Sequence, residues 1–189
     1  MKFIYLTGWI ITRVVAKLIF RLKIINKENF VSGRILIAPN HTSYVDPPIV
    51  GCSVPKELYY MAKKELFESK IMGFLLRKTN AFPVEREKID PSTIKTAVKI
   101  LKSNKPLVLF PEGTRRKFFC GENIKNGFVK IAKIANADIL PVAIINTNNL
   151  KFFKQIKVVF GKKISCSLGE KEILETYISE MEKMLKKYG

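Results

Sequence analysis

His41 and Asp46 are the residues with the clearest capacity for chemistry. They lie in the stretch "NHTSYVDPP" (40–48), and His41 is the only histidine among 189 residues. An unperturbed imidazole titrates near neutrality, so it can take a proton from an alcohol. A carboxylate on its other ring nitrogen would fix the tautomer and balance the charge that forms. A second reading is structural. Asp46 followed by Pro47 and Pro48 looks like a helix start, with Asp as the N-cap and Pro in the first turn, and His41 is then a loop residue. The pair also needs a nucleophile. The chain has no Gly-x-Ser-x-Gly elbow, and Cys52 sits in apolar "VGCSV" with nothing to activate it. The simplest nucleophile is a hydroxyl of the substrate.

A second stretch, "FPEGTRRK" (110–117), supplies Glu112, Gly113, Thr114, Arg115 and Arg116. A glycine lets the backbone approach a ligand closely, and arginine forks match phosphate oxygens. Lys63, Lys64 and Arg86 are further candidates for an anion pocket. Each basic residue alone reads better as a solvated surface charge, in a chain with 34 of them. No GxxxxGK[ST] loop occurs, so phosphoryl transfer is not expected.

These stretches need elements to position them. Apolar runs predict strands at 34–38, 57–61, 80–84, 107–110, 139–145 and 156–160. Helical spacing predicts helices at 47–53, 64–78, 91–103, 126–136 and 170–187. The alternation argues a single α/β domain with a largely parallel or mixed sheet flanked by helices. In such folds ligands collect outside the carboxyl ends of the strands. "NHTSYVD", "ER" (85–86) and "PEGTRR" all fall there.

The charge narrows the partners. Thirty-four Lys and Arg against sixteen Asp and Glu give +18, which implies an anionic partner. Nucleic acid is disfavoured, because the basic residues are dispersed and no nucleic-acid motif occurs. Three scattered cysteines and one histidine assemble no usual zinc site and imply a reducing compartment, so no metal or cofactor is expected.

Residues 1–28 are expected to form a distinct N-terminal helical segment, with the α/β domain over 29–189. The segment's longest charge-free run, 3–12, is ten residues, whereas a spanning helix needs roughly 20. No small-x-small cleavage site follows it. Arg13, Lys17 and Arg21 are spaced by four, one basic stripe on a helix. With Trp9 and many aliphatic residues, the composition is that of a helix lying in an anionic membrane interface. An ordinary core-packing helix is the alternative.

Taken together, the stretches resemble the 1-acylglycerol-3-phosphate acyltransferases of the glycerolipid acyltransferase superfamily (the PlsC type). "NHTSYVD", "NAFPVER", "FPEGTRR" and "ILPVAI" match four family blocks in order, within roughly residues 30–160. The second block usually carries a glycine where this chain has Asn80-Ala81, and an aspartate or similar where it has Glu85. The resemblance implies acyl transfer from an acyl carrier protein or coenzyme A thioester to the sn-2 hydroxyl of lysophosphatidic acid, without an acyl-enzyme. His41 would be the base and Asp46 its orienting carboxylate. Lys64, Arg86 and Arg115 would hold the phosphate, and Glu112, Gly113 and Thr114 would shape the pocket. The implied location is the cytoplasmic face of the cell membrane. Another lysolipid acceptor, or a non-catalytic membrane-binding protein of the same fold, are the alternatives.

Overall fold

In the computed structural model, which describes residues 3–85, 91–148, 150 and 154–189, seven strands form one mixed sheet. In chain order the elements are α1 (Phe3–Leu18), β1 (Lys23–Ile25), β2 (Ile35–Pro39), α2 (Asp46–Ser53), β3 (Tyr59–Lys63), a 3-10 turn (Lys64–Phe67), α3 (Lys70–Lys78), β4 (Ala81–Val84), α4 (Pro91–Lys102), β5 (Leu107–Val108), α5 (Gly127–Ala135), β6 (Asp138–Ile145), β7 (Lys157–Phe160) and α6 (Glu170–Tyr188). The strand order is β1-β7-β6-β2-β5-β3-β4. The pairs from β6 to β4 are parallel. Strand β7 is antiparallel to β6, and β1 is parallel to β7.

Helices cover both sheet faces, so the central strands read as continuous apolar runs. All five residues of β2 are buried. The units β2-α2-β3 and β3-α3-β4 step one way along the sheet, and β4-α4-β5 and β5-α5-β6 step back. Right-handed crossovers therefore put α2 and α3 on one face and α4 and α5 on the other. Ile49 and Val50 of α2 pack with Ile37, Leu140 and Val158 on the first face. Leu101, Phe128 and Tyr177 of α4, α5 and α6 pack on Leu36, Leu107 and Ala143 on the second.

Helix α1 lies across α2. Its Tyr5 hydroxyl accepts from Leu58 N (2.9 Å), and Trp9 Nε1 donates to Val54 O (2.7 Å). Arg13 lies over the Trp9 ring and donates to Cys52 O. Beyond the helix, Ile156 N donates to Phe20 O and Lys23 N to Ile156 O (2.9 Å each). The helix thus runs from the amino end of β3 to the edge where β7 begins.

This corrects the basic stripe. Trp9 and Arg13, expected to face lipid, turn toward α2 because the last carbonyls of α2 lack helical partners and need donors. Arg21 lies past the helix end, at φ 47, so only Lys17 projects outward from α1 as a stripe cation. Residues 23–25, expected to be helical, form edge strand β1, since their backbone groups find a partner in β7. The expected helix over 64–78 breaks at Ser69, whose hydroxyl accepts from Met72 N (3.4 Å) and caps α3. No helix among the described residues is long and apolar enough to cross a membrane.

Asn80 follows α3 at φ 61. That left-handed conformation favours glycine, with asparagine the tolerated substitute, so the departure in the second block preserves the backbone. Asn80→Ile is expected to lower stability by about 1–2 kcal/mol, and Asn80→Gly by under about 1 kcal/mol. Urea denaturation of both variants measures the difference.

Candidate active site

The sheet's carboxyl edge assembles the site. Strands β2 and β5 are neighbours in the parallel sheet, so the loops after Pro39 and after Val108 emerge side by side. Asn40 begins the first loop. Its side chain donates to Ile144 O (3.0 Å) and accepts from Ile144 N (2.7 Å), extending the pairing of β2 with β6 by a side-chain rung. Thr42 Oγ1 lies 2.9 Å from Thr147 Oγ1. The loop is therefore pinned to β6 on both sides of His41.

His41 Nδ1 lies 2.9 Å from Asp46 Oδ2. The same oxygen accepts from Thr42 N and Ser43 N, both at 2.7 Å. The ring stacks on Phe110, with centroids 4.1 Å apart. An ionised carboxylate only accepts, so Nδ1 carries the proton and the Nε2 lone pair is left for a substrate. Asp46 is fully buried, and Oδ1 has no partner among the described residues.

The expectation that Asp46 is an N-cap needs correcting. It is the first residue of α2, Val45 precedes it at the cap position, and no side chain caps the helix. The two prolines explain why none is needed. Pro47 and Pro48 have no N–H, Asp46 N donates to Ser43 O (3.3 Å), and Ile49 N already has Val45 O (3.0 Å). The prolines thus release the carboxylate from capping.

The second loop braces the first. Gly113 N donates to Phe110 O (3.0 Å), closing a tight turn in which Gly113 has φ 68, a conformation that favours glycine. Within that turn Glu112 points inward, is 1% exposed, and Oε1 accepts from His41 N (3.0 Å). Arg116 N donates to His41 O (2.8 Å). His41 is thus gripped at both backbone polar groups by one loop and at its ring by Asp46. Burial pushes the Glu112 carboxyl up to about 7, offset in part by the His41 N–H and the Arg116 charge.

The exposed Arg115 guanidinium lies 3.3 Å from the Tyr44 ring centroid. Stacking on the histidine loop orients its fork beside the site. Cys52 is buried at the far end of α2, and burial raises its thiol to about 11, which suppresses the thiolate.

The family model described as Acyltransferase matches residues 21–145. The chain belongs to the acyltransferase family. This acyltransferase is 37% identical over 159 residues to the 1-acyl-sn-glycerol-3-phosphate acyltransferase of Bacillus subtilis, covering 80% of this chain and 78% of that one. It is 36% identical over 138 residues to the Streptococcus pneumoniae protein of the same name, covering 70% of this chain and half of the other. PlsC from Thermotoga maritima, a 1-acyl-sn-glycerophosphate (LPA) acyltransferase, has the same fold, with a TM-score of 0.72 over 100% of this chain and 86% of that one, at 18% identity.

The acyltransferase fold brings His41, Asp46, Glu112, Gly113 and Arg115 together. Thr114 lies exposed in the same loop. Lys64 is placed otherwise. It follows β3, two strands from β2, roughly 10 Å along the sheet. There it is exposed and paired with Glu85 (2.5 Å), whose hydrogen bond and charge raise its pKa. Arg86 lies outside the described residues. Asn40 and Thr147 were not singled out from sequence, and Arg116 was named only for its guanidinium, not for the backbone N–H that holds His41 O. Asn40 and Arg116 stood inside the quoted stretches, but nothing in them signalled the long-range bonds.

A carboxyl raised in the folded state takes up a proton on folding, so its contribution to stability falls as pH rises from about 4.5 toward about 7. Glu112→Gln removes that titration while keeping an acceptor for His41 N. The stability difference between variant and wild type is therefore expected to shift in the variant's favour by up to about 3 kcal/mol between pH 5 and 8. Urea midpoints at the two pH values test this.

Proposed function

We propose that the chain transfers an acyl group from an acyl thioester to the sn-2 hydroxyl of 1-acylglycerol 3-phosphate, forming phosphatidic acid. The observation that carries the reading is the His41–Asp46 pair, 2.9 Å apart, with the other imidazole nitrogen left for a substrate hydroxyl. The names of the relatives supply the acceptor.

The chemistry follows from the geometry. His41 Nε2 takes the proton of the sn-2 hydroxyl as its oxygen attacks the thioester carbonyl. Asp46 holds the Nδ1 proton and stabilises the imidazolium. The tetrahedral intermediate collapses by breaking the carbon–sulfur bond, and the imidazolium returns its proton to the departing thiolate. No protein nucleophile takes part, which fits a buried Cys52 with a raised pKa. Arg115, stacked on Tyr44, binds the acceptor phosphate, and Lys64 and Arg86 assist. The donor is an acyl carrier protein or coenzyme A thioester, both anionic and both suited to a chain of charge +18. The protein works at an anionic membrane on the cytoplasmic side, which α1 contacts through its outer apolar face and Lys17.

His41→Ala is expected to lower kcat by about 10²–10⁴ with the fold retained. Asp46→Asn should act similarly, because an amide can present a donor to Nδ1 and so favour the unproductive tautomer. A steady-state thioester-release assay beside circular dichroism measures both, and a His41→Ala enzyme of full activity would sink the base assignment.

Arg115→Ala should reduce kcat/KM for lysophosphatidic acid by about 10–100-fold, the worth of a charged hydrogen bond. The loss should be much smaller on monoacylglycerol, which has no phosphate. Equal losses on both acceptors would remove the phosphate role.

A further inference from the structure

The large apolar side chains exposed among the described residues are distributed very unevenly. All but Val31 and Ile134 lie on α1, on the segment from Leu66 to Leu75, or on carboxyl-edge loops. Helices α4, α5 and α6, on the opposite face, contribute Ile134 alone. Helix α3 is the unexpected part. Ile71 is 77% exposed and Phe74 52%, and its sequence, KIMGFLLRK, carries three cations and no acid.

The topology places these patches around the site. Lys23 pairs with Lys157, whose other neighbour is Ile145 at the carboxyl end of β6. The carboxyl end of α1, with Leu18 71% exposed, therefore reaches the carboxyl edge on the β7 side. Helix α3 begins just after the carboxyl end of β3 and packs beside β4 at the other end of the sheet. The histidine and glutamate loops emerge between them, from β2 and β5, with Tyr44 and Phe118 exposed.

We infer that α3 is a second membrane foot, and that α1 and α3 together straddle the active-site edge on the headgroup surface of an anionic bilayer. This rests on the reading of a lipid acceptor given above. Charge complementarity favours the bilayer as occupant. Lys63, Lys70 and Lys78 are exposed around α3, and Lys17, Arg21 and Lys23 are exposed at the end of α1. Among the described acids nearby, Glu65 is paired with Lys63 and Glu85 with Lys64, Glu57 accepts from Asn80, and Glu68 lies just before the helix. Arg77 lies 5.5 Å from the Phe67 ring centroid and Lys78 lies 5.4 Å from that of Phe74. Cations reaching back over apolar rings are how lysine and arginine stand at a lipid boundary. By contrast, α6 on the opposite face carries five glutamates against four lysines, so it offers an anionic surface no net positive charge. Straddling the edge lets a lysolipid slide from bilayer to His41 without crossing water.

The test uses the full chain with Ile71→Glu/Phe74→Glu, and Ile134→Glu as the control on the opposite face. Vesicles of phosphatidylcholine with one-third phosphatidylglycerol are the probe. Co-sedimentation of the double variant is expected to weaken by about tenfold or more, with an unchanged thermal midpoint and no effect of Ile134→Glu. Turnover of long-chain lysophosphatidic acid embedded in vesicles should fall in parallel, while turnover of a short-chain, monomeric acceptor is kept. Unchanged vesicle binding would overturn the inference. So would equal loss on both acceptors, loss of self-association alone, or loss of the acyl carrier protein-supported rate with vesicle binding intact. If wild-type protein acylates no lysophosphatidic acid, the functional reading fails, and the vesicle comparison still decides the docking face.

Discussion

One carboxylate oxygen organises the candidate active site. Asp46 Oδ2 gathers Thr42 N, Ser43 N and His41 Nδ1 within 2.9 Å. An unpaired carboxylate would be costly to bury, and three donors on one oxygen offset that cost. They also curl the loop so that the imidazole has one ring nitrogen occupied and the other free. The arrangement depends on Pro47 and Pro48. They start α2 without N–H groups that would otherwise compete for the same oxygen.

The scaffold converts this local knot into a site. Parallel pairing of β2 with β5 brings the two loops out together, and each then holds the other. Glu112 and Arg116 grip the His41 backbone from one side, and Asn40 and Thr42 tie its neighbours to the β6 side. Such bracing suits the proposed role of His41 as base, because small displacements of a base cost large factors in rate. Burial raises the Glu112 carboxyl to about 7, and the charge of nearby Asp46 pushes it weakly in the same direction.

The two faces of the sheet have different tasks. The face under α4, α5 and α6 is a conventional core, closed by Phe128 and Tyr177. The face under α2 is overlain by α1, which satisfies carbonyls of α2 through Trp9 and Arg13 and leaves its own aliphatic side outward. Apolar burial on one face and apolar exposure on the other make the molecule one-sided, as an enzyme with a lipid acceptor would need to be.

Much was legible in the sequence for a physical reason. Strand and helix periodicity depends on local spacing, so the α/β class and most element positions followed from it. Two loop motifs, each directly after an apolar run, fall together at the carboxyl edge of the sheet. Even Asn80 in place of glycine was readable in principle, since both residues tolerate a left-handed backbone. Tertiary contact decided the rest. Whether Asp46 caps a helix or orients a histidine depends on which donors surround it. Trp9 and Arg13 turn inward because α2 offers them carbonyls, and residues 23–25 become a strand because β7 lies alongside. Lys64 is paired with Glu85, which follows the neighbouring strand β4. The residue types on α3 were in the sequence throughout, but their place beside the active-site edge was set by the order of the strands.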